Sequence, residues 1–168
     1  MENNITFADL GLSEAMLKAL EKKGYGWPTT IQQQAIPEFM QWKDVIAKAP
    51  TGTGKTFAFG IPMIEHVDPA SEAVQGLILA PTRELAIQIG DELRSLLTYF
   101  QGIRVAVLYG GAGIGGQIKQ LEKKPQIVVA TPDGSWTTTT ARPSGWIRSR
   151  PSCWTKRTGC WTWASSRM

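Results

Sequence analysis

Eight consecutive residues carry the most specific chemistry in this chain: Ala49-Pro50-Thr51-Gly52-Thr53-Gly54-Lys55-Thr56. The glycines let the backbone curl so that successive N–H groups face one anion. Lys55 adds a point charge that would reach the β- and γ-phosphates of a nucleotide, and the Thr56 hydroxyl is a ligand for the accompanying Mg²⁺. The usual pattern begins with glycine; Ala49 stands there instead. A β-like run, 44–48, precedes the loop, and Phe57-Ala58-Phe59 opens a helix-like run after it. That context adds the positive end of a helix to the anion site.

The elements around this loop follow from hydrophobic spacing. Ser13 starts a helix with Met16, Leu17 and Leu20 on one face and Gly24 as its stop. Thr30 is the expected cap of a second helix through Ala35, Ile36 and Phe39. Residues 76–80, 104–109 and 126–130 read as buried strands, 82–100 and 115–123 as helices. Strands alternate with helices and are nearly continuous apolar runs, so the expected fold class is α/β, a parallel sheet with helices on both faces. Such sheets bind ligands at the carboxyl ends of their strands. The phosphate loop, Pro81–Ala86, Gly110-Gly111 and Thr131-Pro132 all fall there.

Composition narrows the function further. The net charge is +4, but residues 1–132 carry 12 Lys/Arg and 13 Asp/Glu, against six and one in 133–168. The basic excess therefore sits in the last 36 residues, with five of the seven Trp and both cysteines, Cys153 and Cys160. Two cysteines at that spacing match no metal or disulfide framework. No apolar run approaches the ~18 residues of a membrane span. Met1-Glu2-Asn3-Asn4 lacks the features of a signal peptide, so a cytoplasmic location is expected. The only asparagines are Asn3 and Asn4, so no Asn-Lys-x-Asp guanine reader exists and a GTPase is disfavoured.

With these motifs in view, residues 1–132 resemble the first half of the first RecA-like domain of a DEAD-box RNA helicase. Gly24-Tyr25-Gly26-Trp27-Pro28-Thr29-Thr30-Ile31-Gln32 is similar to that family's Q motif, Pro81-Thr82-Arg83-Glu84-Leu85-Ala86 to its motif Ia, Gly110-Gly111 to its glycine pair, and Ala130-Thr131-Pro132 to the start of ATPGR. The resemblance implies an incomplete RecA-like P-loop NTPase domain over 1–132. It implies that Gln32 reads adenine through paired hydrogen bonds, since an amide can donate to N7 and accept from the exocyclic amine. Tyr25 would stack on the base, and Phe7, 17 residues before Gly24, matches the family's isolated upstream aromatic. It further implies that Ala49–Thr56 hold ATP, that Thr56 holds Mg²⁺ through the nucleotide, and that Pro81, Thr82, Arg83, Gly110, Gly111 and Thr131 hold single-stranded RNA or a short duplex without sequence preference.

Turnover in that family depends on an Asp-Glu-Ala-Asp motif, whose carboxylates anchor Mg²⁺ and orient the attacking water, and on arginines from a second domain. The 168 residues contain no such motif. The expectation is a helicase piece that does not hydrolyse ATP. The alternative is a non-catalytic module that binds adenine nucleotide or RNA, with a basic Trp/Arg tail suited to single strands.

Residues 133–168 read as something other than a domain. Trp-Thr occurs at 136–137, 154–155 and 161–162. Trp is encoded TGG and Thr ACN, so the frame starting at the third Trp base must read GAC, aspartate. In that frame Cys153-Trp154 gives Leu-Asp, and the codons through Ala164 permit LDEADRMLDMG, the motif otherwise absent. The same frame can restore Gly-Arg after Thr131-Pro132. An out-of-frame tail was not selected to pack and shows no sustained apolar period, so it is expected to be disordered or poorly packed. It is also expected to leave strand edges uncovered. Sequencing the coding DNA around the Pro132 codon checks this: one lost or two gained bases are expected there, and a locus with no helicase reading in the displaced frame would contradict it.

Overall fold

The Ser13 hydroxyl accepts the Met16 N–H at 3.3 Å and starts helix α1, Glu14–Lys22. Glu65 accepts from both the Ser13 N–H and its hydroxyl, at 3.0 and 2.8 Å, and ties this helix start to a later helix. Helix α2 spans Thr30–Met40 and begins one residue earlier than its sequence suggests, because Thr29 rather than Thr30 is the cap. Thr29 and Gln32 form a capping box, which satisfies two otherwise orphaned N–H groups at once. Strand β1, Ile46–Lys48, leads into the glycine loop, and α3 runs Lys55–His66. Then follow β2 (Gly76–Leu79), α4 (Arg83–Leu96), β3 (Val105–Leu108), α5 (Ile114–Glu122) and β4 (Ile127–Ala130). This computed structural model describes residues 5–111, 113–132, 152–157 and 160–164.

Two further strands come from the tail, β5 (Ser152–Arg157) and β6 (Cys160–Ala164), and the sheet order is β1-β6-β5-β2-β4-β3. Strand β2 pairs in parallel with β4 and β5, and β4 in parallel with β3. Strand β6 runs antiparallel to both β5 and β1. Residues 152–157 and 160–164 are paired strands that lie between β1 and β2. Without these segments β1 and β2 would each expose an unpaired ladder edge, and Cys-Trp-Thr runs are rich in residues of high strand propensity. The rest of 133–168 lies outside the described residues.

Side-chain alternation along β4 sets the two layers. Ile127 and Val129 join Ile78 and Val107 in a large cluster with Met16, Leu20, Ile36, Phe59, Ile64, Ile89 and Leu93 from α1–α4. Val128 and Ala130 join Val74, Ala106 and Leu108 on the opposite face, where Leu121 of α5 packs. Helices therefore cover both faces, as the apolar strand runs imply. Close approach of α4 to the sheet depends on Gly90: a Cβ there would lie 2.4 Å from Val107 Cγ2. Val107 is buried and β-branched, so it has little freedom to yield. Gly90→Ala is expected to lower stability by about 1–2 kcal/mol, overpacking outweighing the gain in helix propensity. Urea denaturation checks this; an unchanged midpoint would contradict it.

Candidate functional site

The phosphate loop leaves β1 at Ala49 and enters α3 at Lys55. Two residues hold left-handed backbone, Gly52 at φ +84° and Gly54 at φ +81°, a conformation that glycine adopts without penalty. The Thr53 hydroxyl donates to the Pro50 carbonyl at 2.9 Å and closes the turn. Lys55 Nζ folds back onto the carbonyls of Ala49 and Pro50. Its ammonium thus sits inside the ring that the loop describes. Thr56 lies half-buried in the first turn of α3.

Segment 25–32 is latched to this loop. Thr29 Oγ1 donates to the Thr53 carbonyl at 2.9 Å, and Gln32 Nε2 donates to the Gly54 carbonyl at 3.0 Å. Gln32 Oε1 accepts the Thr29 N–H at 3.0 Å. Gln32 is only 3% exposed, so these partners are what makes its burial affordable in free energy. A Cβ on Gly54 would meet Gln32 Nε2 at 2.4 Å, so the loop and the glutamine fit only because residue 54 is glycine. Tyr25 is exposed and sets its ring edge-on against Phe57, centroids 5.1 Å apart at 83°. Beside it lies a groove of about 430 Å³ whose walls include Thr6, Phe7, Leu17, Leu20 and Gly24. Phe7 itself is buried in the core and presents to the groove as a wall.

A second group stands at the carboxyl ends of β2, β3 and β4. Thr82 caps α4 by accepting the Leu85 N–H, which leaves Pro81, Thr82 and Arg83 exposed at the helix start. The Arg83 guanidinium lies over the Tyr109 ring, 4.6 Å from its centroid. Gly110 and Gly111 follow directly, Gly111 at φ +78° with open space where a Cβ would be. Thr131 is buried, and its N–H donates to the Leu108 carbonyl at 2.9 Å, which docks the end of β4 beside this loop.

The sequence profile of the DEAD/DEAH box helicases matches residues 29–149. The chain belongs to the DEAD/DEAH box helicase family. It is 48% identical over 127 residues to the DEAD-box ATP-dependent RNA helicase CshA of Bacillus cereus (strain ATCC 10987 / NRS 248), covering 76% of this chain and 24% of that protein. It is 52% identical over 126 residues to the ATP-dependent RNA helicase CshA of Limosilactobacillus reuteri, covering 75% of this chain and 25% of the relative. The crystal structure of a DEAD box protein from the hyperthermophile Methanococcus jannaschii superposes with a TM-score of 0.75 at 41% identity, over 83% of this chain and 38% of that one. The chain thus spans about a quarter of the length of the curated relatives it matches. The fold is the RecA-like α/β arrangement of the DEAD-box proteins.

Within this DEAD-box chain the structure gathers Tyr25, Gln32 and Ala49–Thr56 into one cluster, and Arg83, Gly110, Gly111 and Thr131 into another. Four residues outside the sequence-derived set join them: Thr29, Phe57, Tyr109 and Gln117. Thr29 was visible as the start of a Thr-x-x-Gln capping box; the others carry no motif. The donor set fits a nucleotide with its ion. Gly52 and Gly54 in left-handed backbone curl the loop, and Lys55 and Thr56 supply a cation and a hydroxyl. No group of three or more His, Cys, Asp or Glu able to hold a metal occurs among the described residues. Thr56 would hold Mg²⁺ together with the phosphates, whose charge the ion would neutralise. No helix of the described residues is long and apolar enough to cross a membrane.

Proposed function

We propose that this chain is the adenine-nucleotide and RNA-binding part of a DEAD-box ATP-dependent RNA helicase, and that the 168 residues alone bind ATP without turning it over. Residues 1–132 form the partial nucleotide-binding domain, and 133–168 are an out-of-frame tail. The carrying observation is the arithmetic of the Gln32 amide. It has two N–H donors and two acceptor lone pairs. One donor goes to Gly54 and one lone pair to Thr29. One of each remains, which is what adenine requires through N7 and its exocyclic amine. Tyr25 beside the groove supplies a face for the base, and the loop N–H groups with Lys55 supply the phosphate contacts.

Arg83, the α4 N-terminus and the Gly110-Gly111 backbone would bind RNA phosphates and sugars, contacts that position a strand without reading its bases. A cytoplasmic location fits such a role. Loss of turnover is supported by β5. Its register with β2, Thr155 opposite Leu79, brings Thr155-Lys156-Arg157 to the carboxyl end of the sheet, where the displaced frame reads carboxylates. Basic residues there cannot anchor Mg²⁺ or orient a water as carboxylates do. The test is RNA-stimulated ATPase activity together with ATP affinity in the purified chain. Micromolar to millimolar ATP binding, lost in Lys55→Ala, with hydrolysis at background is expected. RNA-stimulated turnover that Lys55→Ala abolishes would contradict the inactive reading, and absence of any nucleotide binding would contradict the whole.

A further inference from the structure

Strand β3 ends the sheet of the described residues, so one of its edges has no strand partner among them. Leu108 faces β4, where its carbonyl accepts from Thr131. Val105, Val107 and Tyr109 therefore direct their backbone groups outward. Side chains take them up. Arg94 donates to the Val105 carbonyl at 3.2 Å, and Gln120 Oε1 accepts the Val107 N–H at 3.1 Å. At Tyr109 the pairing is double: Gln117 Oε1 accepts its N–H at 3.1 Å and Gln117 Nε2 donates to its carbonyl at 2.9 Å. One amide thus reproduces both bonds that a neighbouring strand would make. Gln117 is 6% exposed, and α5 presents it and Gln120 one turn apart.

Edge protection explains Gln120. It does not explain why the double clamp falls on the last residue before Gly110-Gly111. Glycines have the widest backbone freedom, so the loop needs an anchor at its root if it is to meet a ligand in one conformation. The anchored residue also carries the Arg83 guanidinium on its ring, which ties the start of α4 to the same root. We infer that Gln117 is a positioning residue for RNA: by clamping Tyr109 it fixes the Gly110-Gly111 backbone and the Arg83 side chain relative to each other. This rests on the RNA reading of that face. Preorganisation of this kind raises affinity by lowering the entropy lost when the ligand binds.

The test compares Gln117→Met with Gln120→Met in the full chain. Each keeps side-chain volume and removes side-chain bonds to β3, but only the first touches the loop root. Binding of a fluorescein-labelled oligouridine is followed by anisotropy at fixed salt, with ADP affinity and urea midpoint measured in parallel. Gln117→Met is expected to weaken RNA binding on the order of tenfold, the effect of losing a clamp of one to two hydrogen bonds. ADP affinity stays at the wild-type value. Gln120→Met shifts the urea midpoint but leaves RNA affinity unchanged. Equal RNA affinity in both variants, whether unchanged or equally weakened, would overturn the inference alone. A wild-type chain that binds ADP but no oligouridine would overturn the RNA reading and the inference with it. Hydrogen exchange on the wild-type chain tests the clamp without mutation. The Tyr109 amide is expected to be protected although it lies on the open edge, and exchange at the unprotected rate would overturn the proposal.

Discussion

The site depends on two carbonyls being held from behind. In a trans peptide the C=O of one residue and the N–H of the next point in opposite directions. Thr29 holds the Thr53 carbonyl and Gln32 holds the Gly54 carbonyl. The N–H groups of Gly54 and Lys55 are thereby turned the other way, as a loop that collects an anion requires. The left-handed φ of Gly54 makes this geometry possible, and the glutamine amide fills the place its missing Cβ leaves. Base reading and phosphate binding are thus mechanically one unit, because the side chain proposed to read adenine also shapes the loop.

The parallel part of the sheet extends this logic. Parallel pairing of β2, β4 and β3 brings their carboxyl ends together, so the starts of α4 and of the glycine loop and the end of β4 converge on one rim. Packing on both faces keeps the rim rigid, with Gly90 letting α4 sit directly on Val107. At the β3 edge, which has no strand partner among the described residues, glutamines from α5 bond the backbone instead. At the other end the tail strands β6 and β5 insert between β1 and β2.

Much of this was legible in the residues themselves. Gly-Lys-Thr between a strand and a helix marks the phosphate loop because few other sequences can curl and charge a backbone in that way. The strand and helix order followed from apolar runs, with ends misplaced by one residue where a cap decides, as at Thr29 against Thr30, and by up to four elsewhere, as at Leu96, where α4 ends although the expected helix ran to residue 100. Pairing was not legible. Burial of Gln32 runs against the ordinary preference of glutamine for the surface and becomes visible only when its two backbone partners are seen. Gln117 sits on a helix of unremarkable pattern, and its role comes from the strand edge it faces. The tail lacks periodicity, yet two of its segments pair, because an open edge selects extended chain by its backbone rather than by its side-chain pattern.

The central claim is that Gln32 joins an adenine reader to the phosphate loop. Equilibrium titration of the chain with ADP and GDP, repeated on Gln32→Ala, tests it most directly. Wild type is expected to favour ADP by tenfold or more, on the order of one well-placed hydrogen-bond pair. The variant should lose that preference and also bind ADP more weakly, because the loop loses its backing. Equal wild-type affinity for the two nucleotides, or a preference that survives in Gln32→Ala, would contradict the account.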